Sequence, residues 1–295
     1  MRRLLLAAVV FGAGCGAHAA DMPDFLRGSL PGSGVDVTTR NWSGWYAGGQ
    51  VGYATSSNDF SGSLAGLSNY IYRNSVLEGP TGQLSALGKA SGQATGFGAF
   101  VGRNYQWDDI VLGVEANYNY INSLQASSTS QVGPLQYSFP AGQFTPANDT
   151  PSFTVTEKGN AQAQIKDAIT FRGRAGWAAG DFLPYIFGGL AVGRMDVERS
   201  LTTTTTRTDT ITTTLGGGGT VTTVVGPNLV PSQSLTMSQE RTNDFVLGWT
   251  AGLGAEYCLW NNVFIRAEWE YIQFVSVMDT KITMNSAHVG LGYKF

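Results

Sequence analysis

Residues 288–295, His288-Val289-Gly290-Leu291-Gly292-Tyr293-Lys294-Phe295, alternate apolar side chains with small or polar ones. Successive side chains of a strand point to opposite faces, so Val289, Leu291, Tyr293 and Phe295 would share one face. An aromatic residue closes the stretch, whereas the termini of soluble domains are usually polar and frayed. The pattern predicts the closing strand of an outer-membrane β-barrel, with one face in lipid and the other in the lumen.

The composition agrees with a chain built from closely approaching strands. Thirty-nine of the 295 residues are glycine and only 13% are charged, about half the charged share of a typical soluble domain. The net charge of −3 disfavours nucleic acid as a partner, because a nucleic-acid-binding protein usually has a basic face. Cytosolic helical enzymes rarely have this composition, so we expect an all-β protein.

The beginning of the sequence predicts a secretory signal peptide over residues 1–20. A positively charged start is followed by a short apolar core at residues 4–12 and by the small-x-small motif Ala17-His18-Ala19. Cleavage is expected after Ala19 or Ala20. A lipoprotein signal at Cys15 is the alternative, although Gly12 stands where an aliphatic residue would be expected.

Eight segments beyond the signal alternate as amphipathic strands do. Residues 21–41 are predicted to form a periplasmic tail, and residues 42–295 the barrel domain. No later apolar run approaches the ~18 residues of a membrane helix. The predicted strands are residues 45–55, 94–107, 110–124, 168–180, 183–196, 244–259, 263–276 and 282–295.

The connections between these segments alternate between tight turns and long polar stretches. Asp108-Asp109, Asp181-Phe182 and Trp260-Asn261-Asn262 join segments two to three, four to five and six to seven. The connections after segments one, three and five each have about forty residues, rich in Ser, Thr and Gly. This alternation predicts an eight-stranded antiparallel up-and-down transmembrane β-barrel, with short periplasmic turns and long extracellular loops.

Residue parity separates a lipid face from a lumenal face in several segments. The predicted lipid-facing rows are Leu112, Val114, Ala116, Tyr118 and Tyr120 in segment three, Phe245, Leu247, Trp249, Ala251, Leu253, Ala255 and Tyr257 in segment six, and Val263, Ile265, Ala267, Trp269 and Tyr271 in segment seven. Aromatic residues cluster towards the strand ends, as in the interfacial girdles of outer-membrane barrels.

Seven charged residues fall on the opposite, lumenal parity. They are Glu115, Arg172, Arg174, Glu256, Arg266, Glu268 and Glu270. The interior of an eight-stranded barrel is just wide enough for side chains to fill, and buried charges require partners. We therefore predict an Arg/Glu network that plugs the lumen; a polar path whose selectivity these charges set is the alternative.

Two positions are left open by the alternation. In segment five, Tyr185, Phe187 and Ala191 compete with Ile186, Leu190 and Val192 for the outer face. Arg103 has lipid-facing parity, where a midplane Arg would cost ~2–4 kcal/mol. It should therefore either snorkel to a headgroup or turn inward through a bulge near Gly102.

Several blocks resemble the small outer-membrane immunogenic protein family, the RopB-type or porin-like β-barrels. They are residues 41–53 (NWSGWYAGGQVGY), 113–118 (GVEANY), 172–176 (RGRAG) with 183–185 (LPY), 188–191 (GGLA), 254–257 (GAEY) and 266–269 (RAEW). The resemblance implies a surface-exposed, often antigenic eight-stranded barrel that contributes to envelope integrity and has no catalytic residues. The threonine-rich third loop and Arg103 depart from the family pattern.

These observations leave three candidate functions. The first is a structural envelope barrel whose partners are outer-membrane lipid, lipopolysaccharide and a host or surface ligand of the loops. The second is a small-solute channel, and the third is a lipid-modifying or peptide-cleaving enzyme that would depend on His288. No nucleophile motif, phosphate loop or metal-ligand spacing supports the third, and we expect no cofactor.

The closing strand also carries an expectation about assembly. Val289, Leu291, Tyr293 and Phe295 resemble the C-terminal pattern that outer-membrane assembly machinery recognises. We therefore expect periplasmic chaperones and this machinery to be partners, and the cell outer membrane to be the destination.

Overall fold

The computed structural model describes residues 40–81, 87–230 and 234–295. The predicted signal peptide with its cleavage site, and the predicted tail up to residue 39, lie outside these residues. The described elements are β1 (Gly44–Asp59), α1 (Ala65–Ile71), α2 (Glu78–Thr81), β2 (Lys89–Trp107), β3 (Ile110–Ser138), β4 (Asp149–Trp177), β5 (Phe182–Thr214), β6 (Thr220–Leu229), β7 (Leu235–Cys258), β8 (Val263–Phe274) and β9 (Lys281–Lys294).

Eight of the nine strands form a closed antiparallel ring. Each strand pairs with the next around the circle, in the order β1, β2, β3, β4, β5, β7, β8, β9, and β9 pairs with β1. Val51 of β1 lies opposite Val289 of β9, so the closing strand takes the predicted place. Closure leaves no free edge within the membrane, as a barrel in lipid requires.

All eight predicted barrel strands are confirmed, and the tight turns lie together at one end of the ring. Asp108 adopts a positive φ of 50° between β2 and β3, and Gly180 a φ of 63° between β4 and β5. The strand pair β7–β8 is joined by residues 259–262. This end is the periplasmic rim, because short turns face the periplasm in this class of barrel.

The outer surface carries the apolar band that the parity predicts. Leu112, Val114, Tyr118 and Tyr120 of β3 are all exposed, whereas Glu115, Asn117 and Asn119 between them are buried. The same alternation holds for Phe245, Leu247, Trp249, Leu253 and Tyr257 of β7 and for Ile265 and Trp269 of β8. These exposed side chains form the lipid-facing surface.

The structure resolves the ambiguous register of the fifth strand. Ile186 and Leu190 each expose 66% of their surface, whereas Tyr185, Phe187 and Ala191 are buried in the lumen. Sequence alternation alone left both faces apolar, because residues 183–195 place apolar and aromatic side chains, and no charged ones, on the lumenal face.

Arg103 lies on the outer surface, and the alternative of a bulge near Gly102 is wrong. The register from Trp45 opposite Arg103 to Ala47 opposite Val101 is continuous. The guanidinium lies 5.5 Å from the Trp45 ring centre and 4.8 Å from that of Tyr105. Since Arg103 lies four residues from the periplasmic end of β2, it belongs to the interfacial girdle, where an Arg costs only about 0–1 kcal/mol.

The long connections after the third and fifth segments are confirmed, but they are largely strand and not irregular loop. β3 extends to Ser138, and β4 begins at Asp149. β5 extends to Thr214, after which the chain turns back into the additional strand β6. Buried and less buried positions alternate even through residues 202–206, which are all Thr, and β-branched Thr favours extended backbone. The result is an extracellular sheet formed by the outer parts of β3, β4, β5 and β7, together with β6.

Three register shifts mark the junction between the barrel and the extracellular sheet. They fall between Tyr120 and Leu124 in β3, Ile165 and Asp167 in β4, and Met195 and Val197 in β5. Leu124, Ile165 and Met195 lie opposite one another across the three strands. Because bulges bend and twist a sheet, this row is where the sheet leaves the barrel wall.

The first long connection contains the two helices, which alternation did not predict. α1 and α2 lie between β1 and β2 and place Leu67 and Ser68 in the interior. Within residues 40–81, 87–230 and 234–295, no helix is long and apolar enough to cross a membrane.

Candidate functional site

The lumen of the periplasmic half contains a network of charged side chains. The structure places all seven predicted residues there, each of them buried. Glu115, Arg172 and Arg174 project from β3 and β4, whereas Glu256, Arg266, Glu268 and Glu270 project from β7 and β8. These strand pairs stand on opposite sides of the ring, so ion pairs between them cross the lumen.

Arg172 is the centre of this network. Its Nη2 lies 2.6 Å from Glu115 Oε1 and 2.6 Å from Glu268 Oε2, and its Nη1 lies 3.4 Å from Glu270 Oε1. One guanidinium thus joins β3 and β4 on one side of the barrel to β8 on the other. Fixed fork geometry makes Arg suited to such multiple carboxylate contacts.

The other two arginines complete the crossing. Arg174 Nη1 lies 2.7 Å from Glu256 Oε1 and 3.4 Å from Glu115 Oε2. Arg266 Nη1 lies 3.0 Å from Glu115 Oε2, and its Nη2 lies 3.0 Å from Glu268 Oε2. Glu115 therefore contacts all three arginines, and the network has no break across the lumen.

Aromatic side chains that are not among the predicted network residues enclose the network. The Tyr46 hydroxyl donates to Glu115 Oε2 at 2.7 Å, and the Tyr185 hydroxyl donates to Glu268 Oε1 at 2.6 Å. Arg172 stacks 4.0 Å from the Phe187 ring centre and Arg266 3.5 Å from that of Phe100. Parity would have identified Tyr46 and Phe100, because each lies between two lipid-facing positions.

Lumenal glycines make room for these rings. A Cβ added at Gly292 of β9 would lie 2.2 Å from the Phe264 ring, and the three nearest heavy atoms all belong to that ring. Phe264 also contacts Tyr46 at a ring-centre distance of 6.0 Å. Glycine is required at Gly292 because an aromatic ring of the neighbouring strand lies against its backbone.

The extracellular half of the interior contains a large apolar cluster. Leu124, Ile165, Met195, Ile272 and Ile282 from five strands form one buried cluster. Phe60, Leu64 and Leu67 from the first connection belong to the same cluster. The connection with α1 therefore caps the interior above the charged network; we call residues 60–81 the extracellular cap.

Arg199 of β5 attaches the cap to its surroundings. Its Nη1 donates to Ser63 O in the cap and, at 3.0 Å, to Met278 O in the connection between β8 and β9. Its Nη2 donates to Gln239 Oε1 of β7 at 2.7 Å. Arg199 lies beyond the predicted fifth strand, which ends at residue 196; the alternation of Met195, Val197, Arg199 and Leu201 is the signal that would have extended that strand.

A buried carboxyl provides a second attachment. Ser68 Oγ of α1 donates to Glu157 Oε1 of β4 at 2.9 Å. Burial raises the pKa of Glu157 above its ordinary value, and the hydrogen bond from Ser68 offsets part of that rise. This contact joins the cap to the extracellular sheet.

His288 does not lie in the geometry of a catalytic triad. Its Nε2 is 2.9 Å from Ser286 Oγ and 3.6 Å from Glu270 Oε2. A triad uses opposite ring nitrogens for the nucleophile and the orienting carboxylate, whereas here one nitrogen faces both. Among the described residues, no group of three His, Cys, Asp or Glu side chains could hold a metal ion.

The four residues of the predicted assembly pattern lie on the lipid face of the closing strand. Val289, Leu291, Tyr293 and Phe295 are all exposed. The Phe295 backbone N–H donates to Trp45 O at 2.8 Å, and its ring meets the Tyr293 ring edge-on at 5.2 Å.

A closed eight-stranded ring with an apolar outer band and a charged network in its lumen defines an outer-membrane β-barrel protein. The chain belongs to the family described as outer membrane protein beta-barrel domain, whose model matches residues 6–295. The predicted fold class and outer-membrane localisation are confirmed.

Individual relatives are more distant. A 25 kDa outer-membrane immunogenic protein of Brucella ovis is 23% identical over 198 residues, which are 67% of this chain and 62% of that protein. Among solved structures, Neisserial surface protein A is 15% identical, with 86% of this chain and 98% of that chain covered and a TM-score of 0.33. Ail, the attachment invasion locus protein of Yersinia pestis, is 12% identical, with 86% and 99% covered and a TM-score of 0.30.

Proposed function

We propose that this protein is a closed, non-conducting barrel that supports the outer membrane and displays a β-sheet at the cell surface. The observation that carries the proposal is the charged network centred on Arg172, which joins opposite walls of the lumen without a break. The apolar cluster beneath the extracellular cap fills the other half of the interior. The charged network and the apolar cluster therefore each close the lumen, one in the periplasmic half and one in the extracellular half.

The small-solute channel is the second candidate, and the charged lumen is the observation that favours it. For ions to pass, the arginines would have to leave their carboxylates. Separating buried partners leaves uncompensated charge and costs about 3–5 kcal/mol for each pair broken. The closed state is therefore the one that the contacts favour.

Planar-bilayer recording of the purified protein distinguishes the two candidates. We expect no stable conductance steps under conditions in which a known porin conducts. A variant with residues 61–87 replaced by a short Gly-Ser linker should also stay silent, because the charged network closes the lumen independently of the cap. Reproducible unitary steps from the unmodified protein would establish the channel instead.

The surface role is supported by the dimensions of the extracellular sheet. Beyond the junction, residues 197–214 of β5 continue as strand, which corresponds to about 60 Å at ~3.3 Å per residue. The exposed apolar band would contact outer-membrane lipid, and the sheet would meet lipopolysaccharide and any ligand at the surface. In this proposal the protein carries out no catalysis.

We also propose that the lipid-facing row of β9 is recognised by periplasmic chaperones and the assembly machinery. Phe295→Ala should lower the amount of protein in the outer membrane several-fold, while refolding of the purified chain in detergent stays unchanged. Trp107→Ala, another exposed aromatic of the periplasmic rim, is the matched control. Equal loss in both variants would mean that the residues act as girdle anchors, and unchanged levels for Phe295→Ala would refute the proposal.

A further inference from the structure

The additional strand β6 is the edge of the extracellular sheet. All ten of its residues are exposed, and of the described strands only β5 pairs with it. Its other edge therefore presents backbone N–H and C=O groups to solvent. Such an edge is a template for pairing with another strand, and natural proteins usually protect it with charges, prolines or bulges.

The other edges of this sheet carry that protection. The outer part of β3 is interrupted by Pro134 at a register shift. The outer part of β7 includes Glu240, Arg241 and Asp244. In β6, Pro227 and a register shift protect only the end nearer the membrane.

Residues 220–225, Thr-Val-Thr-Thr-Val-Val, form the unprotected part of the edge. They contain neither a charge nor a proline and consist entirely of β-branched residues, which favour strand pairing. Val224 exposes 64% of its surface. An exposed strand edge of this composition pairs readily with another strand, so natural proteins rarely leave one without a partner.

We propose that this edge pairs with the same edge of a second copy of the chain. An antiparallel pair centred on Thr223 places Val221 opposite the partner's Val225 and Thr223 opposite the partner's Thr223. The row Val221, Thr223, Val225 has the same order in both directions, so one face is self-complementary. Identical uncharged strands also meet without repulsion, and such β-branched cross-strand pairs stabilise a sheet.

The direction of β6 determines where the second copy is anchored. β5 leads outward from the periplasmic turn, so the antiparallel β6 runs back towards the membrane. Two copies in one membrane would present β6 in the same direction. Antiparallel pairing therefore joins copies in two facing membranes. Within each copy Thr223 lies opposite Ile211 of β5, so the centre of the pair is about 50 Å of strand beyond the junction with the barrel. This inference rests on the surface display in the proposed function and not on closure of the lumen.

Capture between two nanodisc populations tests this pairing. Discs of phosphatidylcholine, each with one copy, carry either biotin or a fluorophore. We expect streptavidin beads to retain fluorescent discs only when both populations contain the protein. Absence of retention by the unmodified protein would overturn the inference, whatever its conductance in planar bilayers.

Charge substitutions at the centre of the pair provide the decisive comparison. Thr223→Lys in both populations should lower retention at least tenfold, because two like charges would face each other, and Thr223→Glu should do the same. Mixing the Lys discs with the Glu discs should restore retention. Thr242→Lys on β7 is the matched control and should retain normally, and each variant should keep its heat-modifiable gel shift. Normal retention in the Lys variant, or no rescue on mixing, would contradict the pairing.

Discussion

Arg172→Met is expected to destabilise the folded barrel by about 3–5 kcal/mol. The substitution leaves Glu115, Glu268 and Glu270 without the guanidinium that lies between them. Met has a similar length and an apolar end, so the expected loss comes mainly from unpaired carboxylates and not from a cavity. The fraction that migrates as folded protein on an unboiled gel, followed through a guanidinium titration, measures the change.

Two further variants separate the charge effect from a general effect of losing an arginine. Arg194 also pairs across β4 and β5, with Asp167, but its side chain is 37% exposed. Arg194→Met should therefore shift the midpoint much less, because solvent screens an exposed pair. Adding Glu268→Gln to Arg172→Met should recover part of the stability, since one uncompensated charge is removed.

Equal midpoints for Arg172→Met and the unmodified protein would show that the network does not stabilise the barrel. A shift that Glu268→Gln fails to reduce would indicate lost packing against Phe187 and not lost charge pairing. In either case the explanation of lumen closure by ion pairs would have to be replaced by one based on the aromatic rings.

The barrel could be predicted from sequence because its wall separates lipid from a lumen that contains charged side chains. Each spanning strand must turn apolar residues to lipid and other residues to the lumen, as Leu112 and Glu115 do in β3. The alternation of residue types therefore reveals the number of strands and most of the lumenal charges. The network residues were identifiable for the same reason. A charged residue with lumenal parity, such as Arg266, is buried in the barrel and therefore requires an oppositely charged partner there.

The extracellular sheet and the cap are not subject to that constraint. Outside the membrane, residues 202–206 are all Thr. Neither face of the strand is distinguished by polarity, so the sequence resembles that of a polar loop. α1 is short and depends on packing of Leu67 and on Arg199 for its position. Contacts between distant segments determine these features, and a single sequence does not reveal such pairings.

Gly292→Leu is expected to prevent stable folding, because the lumen has no room for the side chain. Even the Cβ would lie 2.2 Å from the Phe264 ring, and that ring is buried beside Tyr46 and Phe100. Overpacking of a filled core usually costs about 1–3 kcal/mol, and more where neighbours have no space to move. We expect Gly292→Ala to show the smaller cost and Gly292→Leu to show little folded protein.

A double-mutant cycle identifies the ring as the cause. Phe264→Ala alone leaves a cavity and should cost about 3–5 kcal/mol. Because the three nearest atoms to the new Cβ all belong to Phe264, the leucine can occupy the space that the missing ring vacates. Gly292→Leu combined with Phe264→Ala should therefore be more stable than either single variant, which is a strong departure from additivity.

Gly252 provides the contrast within the same barrel. A Cβ there would meet the Phe187 ring at 2.4 Å but also the backbone oxygen of Trp269 at 2.3 Å. Removing the ring leaves the backbone clash in place, so Phe187→Ala should not rescue Gly252→Leu. Rescue at Gly292 without rescue at Gly252, scored by the unboiled gel shift and by guanidinium titration, would establish that Gly292 is required by one lumenal ring. Additive losses at Gly292 would mean that backbone conformation and not ring packing requires glycine there.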